Sequence, residues 1–287
     1  MAPAGRHFVL CFSLLFAVPA QAIVRPPDAG DGEIRPDRAR GVRIAGPSFA
    51  PAFDARPTWR EFQSRHGDWK AEWNTVTKSP HRAWGPSFPI AGSVPDAQSA
   101  DGALRSFIAG NPGVFGSPSL EVAGIHKVNG LWYARYRQTI QGVPVLFSDW
   151  EFRLSESGKL VMFGADAHTR SVAPRVSPRL VRAAAREQAR RGVAFSPAKD
   201  KLEDGGIFFL PWSTETGTEY RLVYEQRVIT EDPPAHWVAF VDADNGEVLY
   251  RMNRVRHVIS GGITGDVHNL LPTEPFTSGS VAYAKIW

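Results

Sequence analysis

The succession of periodic segments decides which folds this chain of 287 residues can adopt. Twice, a segment with apolar residues at helical spacing precedes segments in which apolar and polar residues alternate. The first helix is predicted within 95–115, where Leu104, Phe107 and Ile108 share one face and Asp101 is a plausible N-cap. Its strands are predicted at three positions: 131–140, 143–154 and 159–163.

The second helix is predicted to begin at Ser177 and Pro178, a capping residue followed by proline at the first helical position. Its expected inner face consists of Val181, Ala184, Ala185 and Gln188. The strands that follow are predicted at 206–212, 219–228 and 237–252. The last is a hairpin, because Asn245-Gly246 is a strong turn signal.

These patterns together predict an α+β fold of two units, each with a helix laid on an antiparallel sheet. The first unit is expected to span 58–170 and the second 171–257. Residues 258–287 restart with three glycines and finish on a strand pattern. We expect a linker there and the truncated start of a further β-domain.

The N-terminus has the pattern of a secretory signal peptide over residues 1–22. A basic start precedes an apolar run at 8–18, and Ala20-Gln21-Ala22 is a small-x-small cleavage site. Residues 23–57 contain six prolines and no apolar periodicity, which predicts a disordered, proline-rich leader. The chain is therefore expected to be secreted or periplasmic, without stable membrane insertion after signal cleavage.

Charge and cysteine content exclude several classes of protein. The formal net charge is +4, which is too small for a nucleic-acid binder whose affinity depends on phosphate contacts. The single cysteine, Cys11, lies inside the predicted signal peptide. Cleavage would leave a chain with neither disulfides nor thiolate metal ligands.

Motifs for catalysis or metal binding are missing from the sequence. No two of the eight histidines are four residues apart, so the His-Glu-x-x-His zinc motif is absent. Residues 242–246 begin like a calcium loop, but the glycine falls at position five instead of six. Gly-x-Ser-x-Gly does not occur. The sequence thus predicts no catalytic, cofactor-binding or metal-binding residue.

One charged pattern has two interpretations. Arginines recur every three or four residues along the second predicted helix: Arg179, Arg182, Arg186 and Arg190. This spacing places them on one helix face. The face is either simply solvated, or it docks an acidic partner surface or acidic lipid.

Residues 132–145 resemble the central strand pair of the fungalysin and thermolysin propeptide (FTP) domain. The likeness rests on an aromatic strand, a glutamine and a Gly-Val-Pro-Val element: Tyr136, Gln138, Gly142, Val143, Pro144 and Val145. The preceding helix and its Asn-Pro-x-x-Phe sequence at 111–115 agree with the same family. Residues 237–249 are similar to the closing hairpin of a PepSY domain, through Trp237, Asp242 and Gly246.

The resemblance implies a propeptide that helps a secreted zinc metallopeptidase to fold and blocks its cleft. The implied partner is a cognate peptidase or another downstream module, and zinc would belong only to a downstream catalytic domain. Two alternatives stay open. One is a stand-alone exported protein-binding module of the same type, and the other is an enzyme of unrecognised chemistry.

Overall fold

The computed structural model describes residues 32–39, 41–46, 48–168, 174–215 and 217–255, and the backbone of 262–267 and 277–282. The helices are α1 (Ala50–Asp54), α2 (Pro57–His66), α3 (Ala97–Ala109), α4 (Pro112–Phe115) and α5 (Arg182–Ala189). The first six strands are β1 (Lys70–Asn74), β2 (Ser79–Pro89), β3 (Ser119–Val128), β4 (Leu131–Ile140), β5 (Val143–Ser155) and β6 (Lys159–Ala165). The others are β7 (Lys201–Thr214), β8 (Gly217–Glu231), β9 (Pro234–Asp242), β10 (Val248–Asn253), β11 (Gly262–Val267) and β12 (Thr277–Ala282).

Strands β1 to β10 form one mixed sheet, which confirms the predicted α+β class. One antiparallel part has the strand order β3-β4-β5-β6-β2-β1, and the other has the order β7-β8-β9-β10. A parallel pairing of Val145 with Phe209 joins β5 to β7. Both parts therefore belong to one sheet, and β5 runs through the junction. Strands β11 and β12 pair separately, within the region predicted to start a further β-domain.

Helices α2 to α4 cover one side of β1 to β6 through an aromatic core. Phe62 of α2 lies at ring contact distance from Trp69, Phe107 and Phe163, with centroids 5.7 to 6.4 Å apart. Burial of such large rings is the main stabilising term for this half of the sheet. Helix α3 lies within the predicted range 95–115 and ends at Ala109, before the Gly-Asn-Pro-Gly sequence at 110–113 that cannot continue a helix. Pro112 then begins the short helix α4.

The N-cap of α3 differs from the prediction. Asp96 caps the helix by accepting the backbone N–H of Ser99 at 2.8 Å. Asp101 lies inside the helix instead, where its carboxylate accepts hydrogen bonds from Arg105 and from the Tyr136 hydroxyl at 2.9 Å. Asp101 therefore ties α3 to β4.

Helix α5 packs on one face of β7 to β9 through Ala185 and Ala189. It begins at Arg182 and not at Ser177, because the N–H groups of Arg179 and Leu180 donate to the Ala243 carbonyl. These bonds hold the preceding segment in a bend outside the helix. Val181 becomes the N-cap and is 69% exposed, so its predicted place on the inner face is wrong.

The other face of β7 to β10 is also apolar, and the end of the segment 32–39 packs on it, while its start lies along β10. Ala39 is buried there with Leu210, Trp212, Val223, Val238, Phe240 and Leu249. Ile34 exchanges backbone hydrogen bonds with Arg251 of β10. This part of 23–57 therefore differs from the disordered leader predicted for it, because the sheet exposes a second face that needs cover. We call residues 32–39 the strap.

Residues 1–22, with the predicted signal peptide, lie outside the described residues. Within the described ranges, none of the helices combines the length and the apolar character needed to cross a membrane.

Candidate protein-interaction surface

The Gly-Val-Pro-Val element lies where β5 leaves one core and joins the other. Gln141 and Gly142 both have positive φ, 52° and 79°, as a two-residue hairpin turn requires. Pro144 pairs with Thr139 of β4, while Val145 is buried beside α5 and pairs with Phe209. Val143 packs against that same core. The structure thus brings these motif residues together at the junction of the sheet.

Gln138 fastens the segment after β6 to β4. Its side-chain oxygen accepts the backbone N–H of His168 at 3.0 Å, and its amide donates to the His168 carbonyl at 2.8 Å. Gln138 and His168 are both buried. Tyr136, the preceding motif residue on the same strand face, is held by Asp101, and burial raises the pKa of its hydroxyl. These contacts give both residues a structural role.

The PepSY-like residues form the hairpin between β9 and β10. Asp242 accepts the N–H groups of Asp244 and Asn245 at 2.8 and 3.3 Å, and Gly246 has a φ of 81°. Trp237 is buried at the other end of the hairpin, where Gly32 of the strap packs on its ring. The hairpin prediction is confirmed.

The predicted arginine face is occupied by contacts within the chain. Arg182 donates to the Gly205 carbonyl at 2.8 Å and lies over the Tyr224 ring. The other three lie beside carboxylates, in the pairs Arg186–Asp204, Arg190–Glu187 and Arg179–Asp244. These carboxylates offset the positive charge of the row, which favours the solvated-face interpretation. Docking by this row stays a prediction.

A row of side chains that sequence reasoning did not assemble crosses five adjacent strands. The register places His126 opposite Tyr133, Tyr133 opposite Arg153, Arg153 opposite Met162, and Met162 opposite Trp84. Trp84 is 44% exposed. The row lies on the side of β2 to β6 that faces away from the aromatic core, and we call this side the outer face. Tyrosine, tryptophan and arginine are the residues that most often anchor protein interfaces.

Ion pairs between neighbouring strands flank the row: Arg137–Glu121, Arg135–Asp149 and Arg82–Glu151, at 3.4 to 3.6 Å. All six side chains are at least one-third exposed, so each pair contributes little to stability. A partner can therefore replace these pairs at small cost. The alternation along β4 already places Tyr133, Arg135 and Arg137 on one face of the strand. Their partners on the adjacent strands are known only from the register.

No group of three His, Cys, Asp or Glu side chains is arranged to hold a metal ion within the described residues. The features of the outer face are its row of large side chains and the ion pairs that flank it.

Burial of His168 predicts a specific loss of stability in acid. Desolvation lowers the pKa of His168 from 6.5 to about 4, and the Phe147 carbonyl, which accepts from its Nε2 at 3.1 Å, opposes this shift only in part. Because the folded pKa is depressed, the stabilisation is complete above pH 6.5 and is lost as the pH falls to about 4. The loss amounts to roughly 3 kcal/mol.

The variant His168→Gln keeps a side-chain donor for the Phe147 carbonyl but does not titrate. We expect its free energy of unfolding, measured with urea, to fall less steeply than that of the wild type between these pH values. His126→Gln, at a histidine on the outer face, is the matched control for the substitution itself. Equal slopes for wild type and His168→Gln would contradict the prediction.

Comparison with known proteins gives partial similarities. Proteins named bacillolysin from Bacillus subtilis strain 168 and from Bacillus subtilis subsp. amylosacchariticus are each 26% identical over 173 residues, covering 56% of this chain and 33% of theirs. Neutral protease B of Bacillus subtilis strain 168 is 26% identical over 150 residues, or 50% of this chain and 27% of that protein. The chain spans about a third of the length of the curated relatives it matches. No protein-family model matches the chain.

Among solved structures, the chain is similar to the Bacillus megaterium YpeB C-terminal domain. That likeness covers 74% of this chain and 98% of that one, with 14% identity and a TM-score of 0.32. A score this low adds nothing to the argument about function.

Proposed function

We propose that this chain is the pro-segment of an exported zinc metallopeptidase precursor and serves it as intramolecular chaperone and inhibitor. The proposal rests on the alignments with bacillolysin, which cover more than half of this chain but only a third of those proteins. The FTP-like and PepSY-like motifs support the same assignment. In this proposal, zinc and the catalytic residues belong to a downstream domain.

The finer division of the fold is part of the proposal. The FTP-like unit corresponds to α2–α4 with β1 to β6, and the PepSY-like unit to α5 with β7 to β10. Two separate apolar cores, on either side of the β5–β7 pairing, support this division.

The outer face is the observation that supports a protein-binding function best. Its row of Trp84, Tyr133 and Arg153 lies on a rigid sheet backed by the aromatic core. A large peptidase domain with many non-local contacts folds slowly. A preformed surface that binds its native state promotes folding, and the same binding inhibits the enzyme for as long as the complex persists.

The test adds the full chain in trans to bacillolysin and follows hydrolysis of a peptide substrate. We expect micromolar chain to slow hydrolysis and to raise the yield of active enzyme when denatured bacillolysin is refolded. Tyr133→Ala and Arg153→Ala should each weaken inhibition by roughly tenfold, equivalent to about 1.4 kcal/mol. Arg60→Ala, at an exposed site on α2, is the matched control. No inhibition and no gain in refolding at high micromolar concentration would overturn the proposal.

A stand-alone exported protein-binding module is the second candidate. The strap supports it, because Ala39 packs on the second face of the sheet from within the chain. Under this alternative the chain binds a partner protein through the outer face but neither inhibits nor refolds the peptidase.

A further inference from the structure

A cavity of about 740 Å³ lies beside the β4–β5 turn. Three chain segments enclose most of it: the β1–β2 turn at 77–79, the segment 112–119 with α4, and residues 138–141. Volumes of this size are typical of sites that take a small molecule or a few residues of a peptide. Apolar residues that keep accessible surface contribute to the lining, among them Pro112 and Pro118.

The charge of the lining has one sign. Arg56 and Lys78 line the cavity, and no Asp or Glu does so in the part of the chain that the structure describes. His168 also lines it but is uncharged at neutral pH, because burial lowers its pKa to about 4. The cavity therefore carries two positive charges at neutral pH.

Arg56 is held in place before any ligand arrives. Its guanidinium donates to the Lys78 carbonyl and lies 4.5 Å from the ring centroid of Phe53 and 5.5 Å from that of Trp73. No carboxylate pairs with Arg56 or Lys78 among the described residues. A partly desolvated cation without a counter-ion gains from a ligand carboxylate, because charge-assisted hydrogen bonds are strong.

Backbone strain lies at two points of the same lining. Lys78 and Gln141 are not glycines, yet their φ angles are 59° and 52°. Residues in this left-handed region cost free energy that the surrounding structure must offset. At Gln141 the two-residue hairpin turn requires this conformation. The two turns that bring these residues to the cavity are thus fixed by their surroundings.

We propose that this cavity binds a peptide segment through a carboxylate, which pairs with the Arg56 guanidinium and the Lys78 ammonium. Apolar contacts with Pro112 and Pro118 favour a peptide over a small inorganic anion, since the cavity is far larger than phosphate. The carboxylate belongs either to an acidic side chain or to a C-terminus. This site is separate from the outer face and goes beyond the proposed function.

The experiment measures binding of short peptides to the full chain by isothermal titration calorimetry. One probe, acetyl-Ala-Phe-Ala-Asp-Ala-amide, carries a side-chain carboxylate, and acetyl-Ala-Phe-Ala carries a C-terminal one. The uncharged control is acetyl-Ala-Phe-Ala-Asn-Ala-amide. We expect at least one carboxylate probe to bind about ten times more tightly than the control. The probe that binds identifies the source of the carboxylate.

Variants locate the binding to the cavity. Arg56→Gln and Lys78→Asn should each weaken binding of the carboxylate probe by about tenfold. Asparagine tolerates the left-handed backbone at 78 and so protects folding. Arg60→Gln makes the same charge change on α2 outside the cavity and should have no effect. Urea unfolding midpoints verify that each variant is folded.

Three results would overturn the inference: equal binding of acid and amide probes, an equal loss in Arg60→Gln, or phosphate binding as tightly as the peptides. The proposed function is tested separately by inhibition of bacillolysin. Variants that no longer bind the peptide but still inhibit bacillolysin would support both the cavity site and the proposed function, and would show that the two are independent. A chain that binds the peptide without inhibiting would refute the proposed function and leave the cavity site intact.

Discussion

Replacing Arg251 with methionine is expected to lower the free energy of unfolding by about 3 kcal/mol. Arg251 is buried, and its guanidinium donates to three carbonyl groups from two separate parts of the chain. The carbonyls of Ala189 and Arg191 accept at 3.1 and 2.7 Å, and the third acceptor is Gly32 of the strap. Arg251 also lies over the Trp237 ring, 5.8 Å from its centroid.

The effect is large because methionine fills the space of the aliphatic stem but donates no hydrogen bond. The carbonyls of Ala189 and Arg191 belong to the C-terminal end of α5, where a cation also complements the helix dipole. Each carbonyl left buried without a donor costs about 1–3 kcal/mol. Relief of the desolvated charge offsets part of this sum.

Urea unfolding followed by tryptophan fluorescence measures the loss. Arg254→Met, at the exposed position directly after β10, is the matched control and should change stability by less than about 0.5 kcal/mol. If the strap separates from the sheet first, the unfolding free energy of the Arg251 variant will also depend less steeply on urea concentration, because less surface remains to be exposed when the rest of the chain unfolds. Equal stabilities of the two variants would refute the role given to Arg251.

Local signals predicted β4 to β10, but they did not predict β1, β2 and β3. The alternation over 131–140 coincides with β4, and the Asn245-Gly246 signal lies in the β9–β10 turn. Both depend on contacts between residues close in sequence. The strap could not be predicted in this way, since Gly32 and Ile34 meet Arg251 across more than 200 positions.

The start of α5 shows how a tertiary contact overrides a local cap. Ser177-Pro178 is a favourable helix start, yet hydrogen bonds to the Ala243 carbonyl hold Arg179 and Leu180 in a bend outside the helix. Prediction of the candidate surfaces is limited in the same way, because local patterns do not show contacts between residues distant in sequence. Helical spacing brings the arginines together, but their carboxylate partners Asp204 and Asp244 come from β7 and the distant hairpin.

Replacing Gly158 with alanine is expected to destabilise the protein by about 4 kcal/mol, well beyond the cost of Gly142→Ala. Both glycines have left-handed φ angles, 75° and 79°, so both variants bear the usual cost of about 1–2 kcal/mol for a side chain there. A Cβ at Gly142 meets no atom within 4 Å. A Cβ at Gly158 would overlap the carbonyl oxygens of Ala91 and Gly92, at less than 3.0 Å.

The overlap matters because the β5–β6 turn is hydrogen-bonded to residues 90–94, the segment that the added Cβ would displace. The Gly158 carbonyl accepts the N–H groups of Ile90 and Ala91 at 2.9 and 3.3 Å, and Trp132 donates from its indole to the nearby Val94 carbonyl at 3.0 Å. Relieving the clash moves backbone and weakens these bonds, each contributing about 1 kcal/mol. The difference between the unfolding free energies of Gly158→Ala and Gly142→Ala, measured in urea, isolates this term from backbone conformation. If the two variants lose the same stability, residues 90–94 do not hold the turn, and the close approach at Gly158 has no energetic consequence.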